Sequence, residues 1–201
     1  MVRCPLPVGK TLGIIVIGAL TMTGCTSQSK DRSPDWSRNT AKVQETADLS
    51  PMDAATEKKA LKRFTDFYAE YSYDAIKEGV RGLYADEAWF GDPFHIVEGI
   101  DNIEHYFLVM AEPVESCTFT VDSIQRSGID YFARWTMELE SKAAQGEQIK
   151  TIGISQVRFN RSGKIVFQQD YWDATAMMDR LPIVGYWTRL VKDRIEKGLE
   201  K

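Results

Sequence analysis

Histidine, cysteine and long apolar runs are scarce in this 201-residue chain, which holds two histidines and three cysteines. His95 and His105 stand apart from Cys4, Cys25 and Cys117, without the Cys/His spacing that a structural zinc site needs. The sequence therefore calls for no metal and no cofactor. It contains no glycine-rich phosphate loop, no Gly-x-Ser-x-Gly element and no internal repeat. Lys and Arg number 25 against 29 Asp and Glu, and the formal net charge of −4 has the wrong sign for a nucleic-acid partner. No apolar stretch reaches the ~20 residues of a membrane-spanning helix.

What is present begins at the N-terminus. Arg3 and Lys10 precede Thr11–Leu20, a short run without charge. A basic segment followed by a short apolar one is the layout of a secretory signal. Thr21-Met22-Thr23-Gly24-Cys25 follows, and a small residue before a cysteine at this point resembles the bacterial lipoprotein cleavage box, with Met22 where Leu is commoner. That resemblance implies a signal peptide over 1–24 and fatty-acyl (palmitate-type) lipidation of Cys25, which anchors the chain to a membrane of the cell envelope. Each buried CH₂ of such a chain adds about 0.8 kcal/mol to anchoring. Thr26, where retention signals carry Asp, resembles the sorting pattern for the outer membrane of a two-membrane host. With Cys4 removed and Cys25 acylated, only Cys117 remains. No intramolecular disulfide is then available, even in an oxidising compartment.

Residues 25–49 are rich in Ser, Thr, Asp, Lys and Gln and read as a flexible tether. Ser50-Pro51-Met52-Asp53 reads as a helix start, with Ser50 as N-cap and Pro51 in the first turn. Leu61, Phe64, Tyr68 and Tyr71 follow at helical spacing, as do Ile76, Val80, Leu83 and Tyr84, and then Ile100, Ile103, Phe107 and Met110 after Gly99. Trp89 and Phe90 suggest a brief strand ending at Gly91-Asp92-Pro93. Beyond Pro113 the period changes to 2. Strands are predicted around 119–121, over 131–139, 149–159 and 164–172, with turns at Ser127-Gly128, Ala144-Gln145-Gly146 and Arg161-Ser162-Gly163. Helices first and an antiparallel meander after is an α+β layout, with helices on one face of a curved sheet. The domain spans 50–175, and 176–201 is a C-terminal amphipathic helical extension.

Tyr84-Ala-Asp-Glu-Ala88, Asp92-Pro93-Phe94, Gly99 and the helix with Ile103 and Phe107 resemble the SnoaL-like branch of the nuclear transport factor 2-like superfamily. Gly153-Ile-Ser-Gln-Val-Arg-Phe-Asn-Arg-Ser-Gly-Lys164 and Asp170-Tyr-Trp-Asp173 extend the resemblance over about 55–175. It implies a cone-shaped fold whose curved sheet and long helix enclose a pocket. Against the ketosteroid isomerases of this superfamily, Asp92 matches the general base and Tyr68 the oxyanion donor, while the second donor position holds Ser155. Against the limonene epoxide hydrolases, Arg134 and Asp170 match the arginine and the water-activating aspartate. Thr136, Phe90 and Asp92 depart from the rest of that pattern, which argues against epoxide hydrolysis.

Period-2 counting places Asp170, Gln168 and Trp172 on one strand face; if Arg134 points inward, Thr136 does too. The expected pocket holds Tyr68, Phe90, Asp92, Arg134, Ser155, Asp170 and Trp172, with His95 at its mouth. In it Asp92 has a pKa raised by desolvation, and Arg134 keeps Asp170 ionised. Each residue also has a plainer role: Asp92-Pro93 as a turn start, Arg134–Asp170 as a structural ion pair, Tyr68 as core packing, Cys117 as a small apolar strand residue. Tyr131, Ala133, Trp135, Met137 and Leu139 read as an outward apolar stripe that a homodimer or the C-terminal segment would cover. The stripe of 183–201, flanked by Arg189, Lys192, Arg194 and Lys197, fits packing against the protein or a membrane surface. Three readings of function follow: a pocket binding a small apolar or lipid-like molecule, an isomerase- or cyclase-type enzyme with Asp92 as base, or a non-catalytic dimeric interaction protein of the envelope.

Overall fold

The computed structural model describes residues 36–141, 148–179 and 184–199. The expected signal segment, Cys25 and the expected turn Ala144-Gln145-Gly146 lie outside the described residues. Chain order is α1 (Trp36–Thr46), α2 (Ala54–Ala69), α3 (Tyr73–Leu83), β1 (Tyr84–Gly91), β2 (Ile96–Glu98), α4 (Ile100–Ala111), β3 (Val114–Ser127), β4 (Asp130–Ser141), β5 (Gln148–Phe159), β6 (Ile165–Trp172), α5 (Thr175–Met178) and α6 (Val184–Leu199).

Helix α2 starts three residues later than the Ser-Pro signal suggests. Its N-cap is Asp53, whose carboxylate accepts from the Ala55 and Thr56 amides at 2.9 Å each. An acceptor one residue before the first turn satisfies amides that Ser50 is too far away to reach. Ser72 caps α3 by accepting from the Ala75 amide, and Tyr84 leaves the helix to begin β1. Apolar residues at helical spacing (Phe64 and Tyr68 of α2, Ile76 and Val80 of α3, Ile103 and Phe107 of α4) meet in one core against the sheet.

The six strands run β2-β1-β6-β5-β4-β3. All neighbours are antiparallel except β1 and β6, which pair parallel. That departs from a wholly antiparallel reading, because β1 enters the sheet between helices rather than by a hairpin from β6. Gly128 and Gly163 turn the β3–β4 and β5–β6 hairpins with φ of 64° and 78°, a conformation that favours glycine.

Three sequence expectations are corrected here. Tyr131, Ala133, Trp135, Met137 and Leu139 form the inward stripe of β4, each at most 5% exposed. Arg134 and Thr136 lie on the outer face. Alternation places residues on common faces, but what stands opposite decides which face is inside. The indole of Trp135 lies over Gly153 of β5, where any Cβ would collide with it. Secondly, α1 occupies 11 residues of the expected tether. Val43 is buried with Trp89, Val166 and Phe167, Ala47 and Leu49 pack against the same group, and Arg158 donates to the Thr40 carbonyl at 3.2 Å. Val43, Ala47 and Leu49 of this polar segment thus cover Trp89 and Phe167 of β1 and β6. Thirdly, at Val191, Ile195 and Leu199 the C-terminal stripe is exposed and does not pack against its own domain, while Thr188, Arg189 and Lys192 bind Asp179. Among the described residues no helix is long and apolar enough to cross a membrane.

Candidate functional site

A cavity of about 270 Å³ opens between α4, α5 and the inner face of the sheet. Its walls combine Tyr71 beyond the end of α2, Phe90 of β1, Tyr106 and Met110 of α4, Val114 and Phe119 of β3, Leu139 of β4, and Trp172 and Met177 nearer the C-terminus. Among the described residues the carboxylic acids in this lining are Asp92 and Asp170, and no Lys, Arg or His lines it. Such a chamber, apolar with a few placed polar groups, has the form of a small-molecule site.

Asp92 begins the turn between β1 and β2. Its Oδ1 accepts from the Phe94 and His95 amides at 2.8 and 2.9 Å, so the Asp-Pro turn role holds. The Tyr106 hydroxyl donates to the same carboxylate at 2.9–3.0 Å. Burial nonetheless raises the Asp92 pKa above the ordinary carboxylate range, against the lowering effect of these donors.

Asp170 lies at the end of β6, deeper against the core. Its Oδ1 accepts from Ser155 Oγ at 2.6 Å and from Gln168 Nε2 at 3.0 Å. Withdrawal from water pushes its pKa up to about 7, the two hydrogen bonds oppose this, and nearby Asp92 adds to it. Ser155 in turn accepts from Trp135 Nε1 at 2.9 Å, which makes Ser155 a positioning group for Asp170.

Tyr68 belongs to a closed ring of bonds. Tyr84 donates to Gln168 Oε1 at 2.7 Å, and Gln168 Nε2 donates to the Tyr68 oxygen at 3.0 Å. With the Tyr84 proton so used, the 2.8 Å bond between the two phenols runs from Tyr68 to Tyr84. The Tyr68 proton is therefore committed inside the protein, not aimed at a ligand oxygen. Burial raises the pKa of both phenols.

The structure thus brings Tyr68, Phe90, Asp92, Asp170 and Trp172 to one cavity, with Ser155 behind Asp170. It separates Arg134 from them. Arg134 is 53% exposed and pairs with Asp122 at 2.7 Å, so the expected Arg134–Asp170 pair does not form and Asp170 is not held ionised by an arginine. His95 is exposed, with its ring 5.9 Å from that of Tyr106, and does not line the cavity. His105 is exposed as well. Cys117 is a buried lining residue whose thiol pKa is pushed up to about 12 by burial, which keeps it protonated. Trp135, Tyr106, Gln168 and Tyr84 are the site residues that sequence reasoning missed. Gln168 was detectable from its shared face with Asp170; Trp135 was hidden by the inverted stripe.

Structures of known proteins share this architecture. A candidate SnoaL-like polyketide cyclase from Jannaschia sp. CCS1 is 12% identical, covers 66% of this chain and 97% of its own, and superposes with a TM-score of 0.52. An epoxide hydrolase of the limonene epoxide hydrolase-like kind from M. tuberculosis is 14% identical, with 66% and 89% covered and a TM-score of 0.51. A candidate isomerase from Bacillus subtilis is 20% identical, with 61% and 89% covered and a TM-score of 0.51. At such identities these likenesses establish the fold and leave the chemistry to the site. No curated protein is similar to this chain in sequence. Residues 61–168, more than half of the chain, match the SnoaL-like domain, and the chain belongs to that family.

Proposed function

We propose that this chain is a lipid-anchored envelope protein whose SnoaL-like domain holds a small apolar molecule in the cavity. The observation that carries the binding reading is the chamber of about 270 Å³ with aromatic and aliphatic walls and two polar anchor points. The anchor rests on the Thr21–Cys25 sequence alone. Gentle purification of the full-length protein from a bacterial host, followed by native mass spectrometry and solvent extraction, tests the binding reading. A stoichiometric apolar molecule, separate from acyl chains on Cys25, is the expected result; a protein that neither carries nor takes up any apolar compound refutes it. Cys25→Ala is expected to release the domain from membranes, and a variant that stays bound removes the anchor assignment.

A second reading, proton transfer beside a carbonyl, is favoured by one feature: a cavity carboxyl with a pKa near 7. That group is Asp170 rather than Asp92, whose carboxylate is already engaged by two amides and a phenol. In D₂O, the C–H exchange of a small apolar ketone such as 2-indanone, followed by NMR, is expected to be faster with the wild type than with Asp170→Asn. Equal rates refute the enzyme reading.

A further inference from the structure

Among the described residues the cavity carboxyls have no Lys or Arg partner, and the rest of this protein shows what one looks like. Asp130, also withdrawn from water, is gripped by Arg158, with Nε 2.7 Å from Oδ1. Asp170 has only the neutral donors Ser155 and Gln168, and Asp92 only two backbone amides and Tyr106. Among the described residues no Lys, Arg or His lines the chamber, and the nearby basic ring of His95 is exposed in the turn outside it. Two carboxyls set into one apolar chamber without a cation are costly to ionise, and that cost falls only if positive charge arrives from elsewhere.

The walls are suited to supply the remaining contacts. Rings of Tyr68, Tyr71, Tyr106, Phe119, Trp135 and Trp172 line the chamber. Aromatic faces attract cations, most strongly where water is excluded. An anionic ligand such as a fatty acid meets the opposite situation: it would add a third carboxylate to a site that offers no positive charge. An uncharged hydrocarbon fills the volume but leaves both carboxyls uncompensated.

We propose that the cavity takes a small apolar molecule bearing a cationic amine or quaternary ammonium, with the charged head held by Asp92 and Asp170 against the aromatic walls. The proposal rests on the reading of the cavity as a ligand site and specifies its ligand class. The head neutralises the carboxyl pair, and the apolar body lies toward Met110, Val114 and Leu139.

The test uses a matched pair, benzyltrimethylammonium and its uncharged carbon isostere neopentylbenzene, titrated into full-length protein and followed by tryptophan fluorescence and calorimetry. The cation is expected to bind at least about tenfold tighter than the isostere, a margin consistent with a desolvated cation in an aromatic site. In Asp92→Asn/Asp170→Asn that preference is expected to vanish while the isostere binds as before. Cation affinity is also expected to rise from about pH 6 to about pH 8, as more Asp170 is ionised, since the quaternary head does not titrate. The other titratable groups facing Asp170 are Tyr68, Tyr84 and Tyr106, all raised by burial, and Asp92, while Tyr71 and Cys117, also raised by burial, line the same chamber; His95→Gln serves as background to remove the imidazole beside Asp92. Equal binding of the two probes overturns the charge assignment and leaves the cavity reading standing. A preference that survives in the double variant places the cation elsewhere and also overturns it. Binding of neither probe removes the cavity reading together with the proposal.

Discussion

The two faces of β4 and β5 have similar alternation and opposite fates. On the inner face, Trp135 covers Gly153 and donates to Ser155, which donates to Asp170. On the outer face, Arg134 meets Asp122 beside Ile152 and Ile154, which are 59% and 43% exposed. Both faces carry large apolar residues and both carry polar ones. What separates them is connection: the inner residues form one packed and hydrogen-bonded chain ending at a cavity carboxyl, and the outer residues form short contacts at an exposed surface. A polar residue has leverage on function where its partners are fixed by packing, and little where solvent is the alternative partner.

Trp135→Ala should break the inner chain most severely. It removes a buried ring and leaves Ser155 without its donor, and a loss of about 3–5 kcal/mol is expected by chemical denaturation. A loss comparable with that of an outer-face change would abolish the distinction between the faces.

Asp170→Asn sharpens the comparison in the opposite direction. The folded-state pKa of Asp170 is raised from 3.8 to about 7. Between those values the folded state holds a proton that the unfolded chain releases, so wild-type stability falls as pH rises from about 4 to about 7 and is fully present only below the lower value. Asn cannot ionise and keeps an acceptor for Ser155. Thermal or urea melts should therefore show Asp170→Asn more stable than wild type at pH 8, by about 2–4 kcal/mol, and nearly equal to it near pH 3. A variant less stable than wild type at pH 8 would mean that Asp170 is ionised and well paired in the folded protein.

The smallest effects belong to the outer face. Arg134→Gln and Ile154→Thr should each change stability by no more than about 0.5 kcal/mol, because one removes an exposed ion pair and the other keeps a β-branched side chain on an exposed surface. Denaturation midpoints check both, and a large loss at either would show that something covers this face.

Much of the framework was legible in the chain. Phe64 and Tyr68, Ile76 and Val80, and Ile103 and Phe107 mark three helices by their spacing, and Gly128 and Gly163 mark two hairpin turns. Tyr68, Asp92, Asp170 and Trp172 were also placed together, through the family resemblance of their motifs, and all four line the cavity. Arg134 failed because alternation alone left its direction open. The helix α1 was missed because, among the described residues of this polar segment, Val43 within the helix and Ala47 and Leu49 beyond it supply the apolar packing, too few to raise a periodic signal.

The sequence by itself determined the local elements, their order and which residues share a strand face, because these follow from backbone periodicity and turn chemistry between near neighbours. Only the tertiary structure decided that the Trp135 face lies inside, that β1 runs parallel to β6, that Tyr68 gives its proton to Tyr84, and that Asp170 sits with Ser155 and Gln168 instead of Arg134. Those outcomes depend on what stands opposite each residue across the fold, and burial, hydrogen-bond direction and pKa are properties of that partner as much as of the residue.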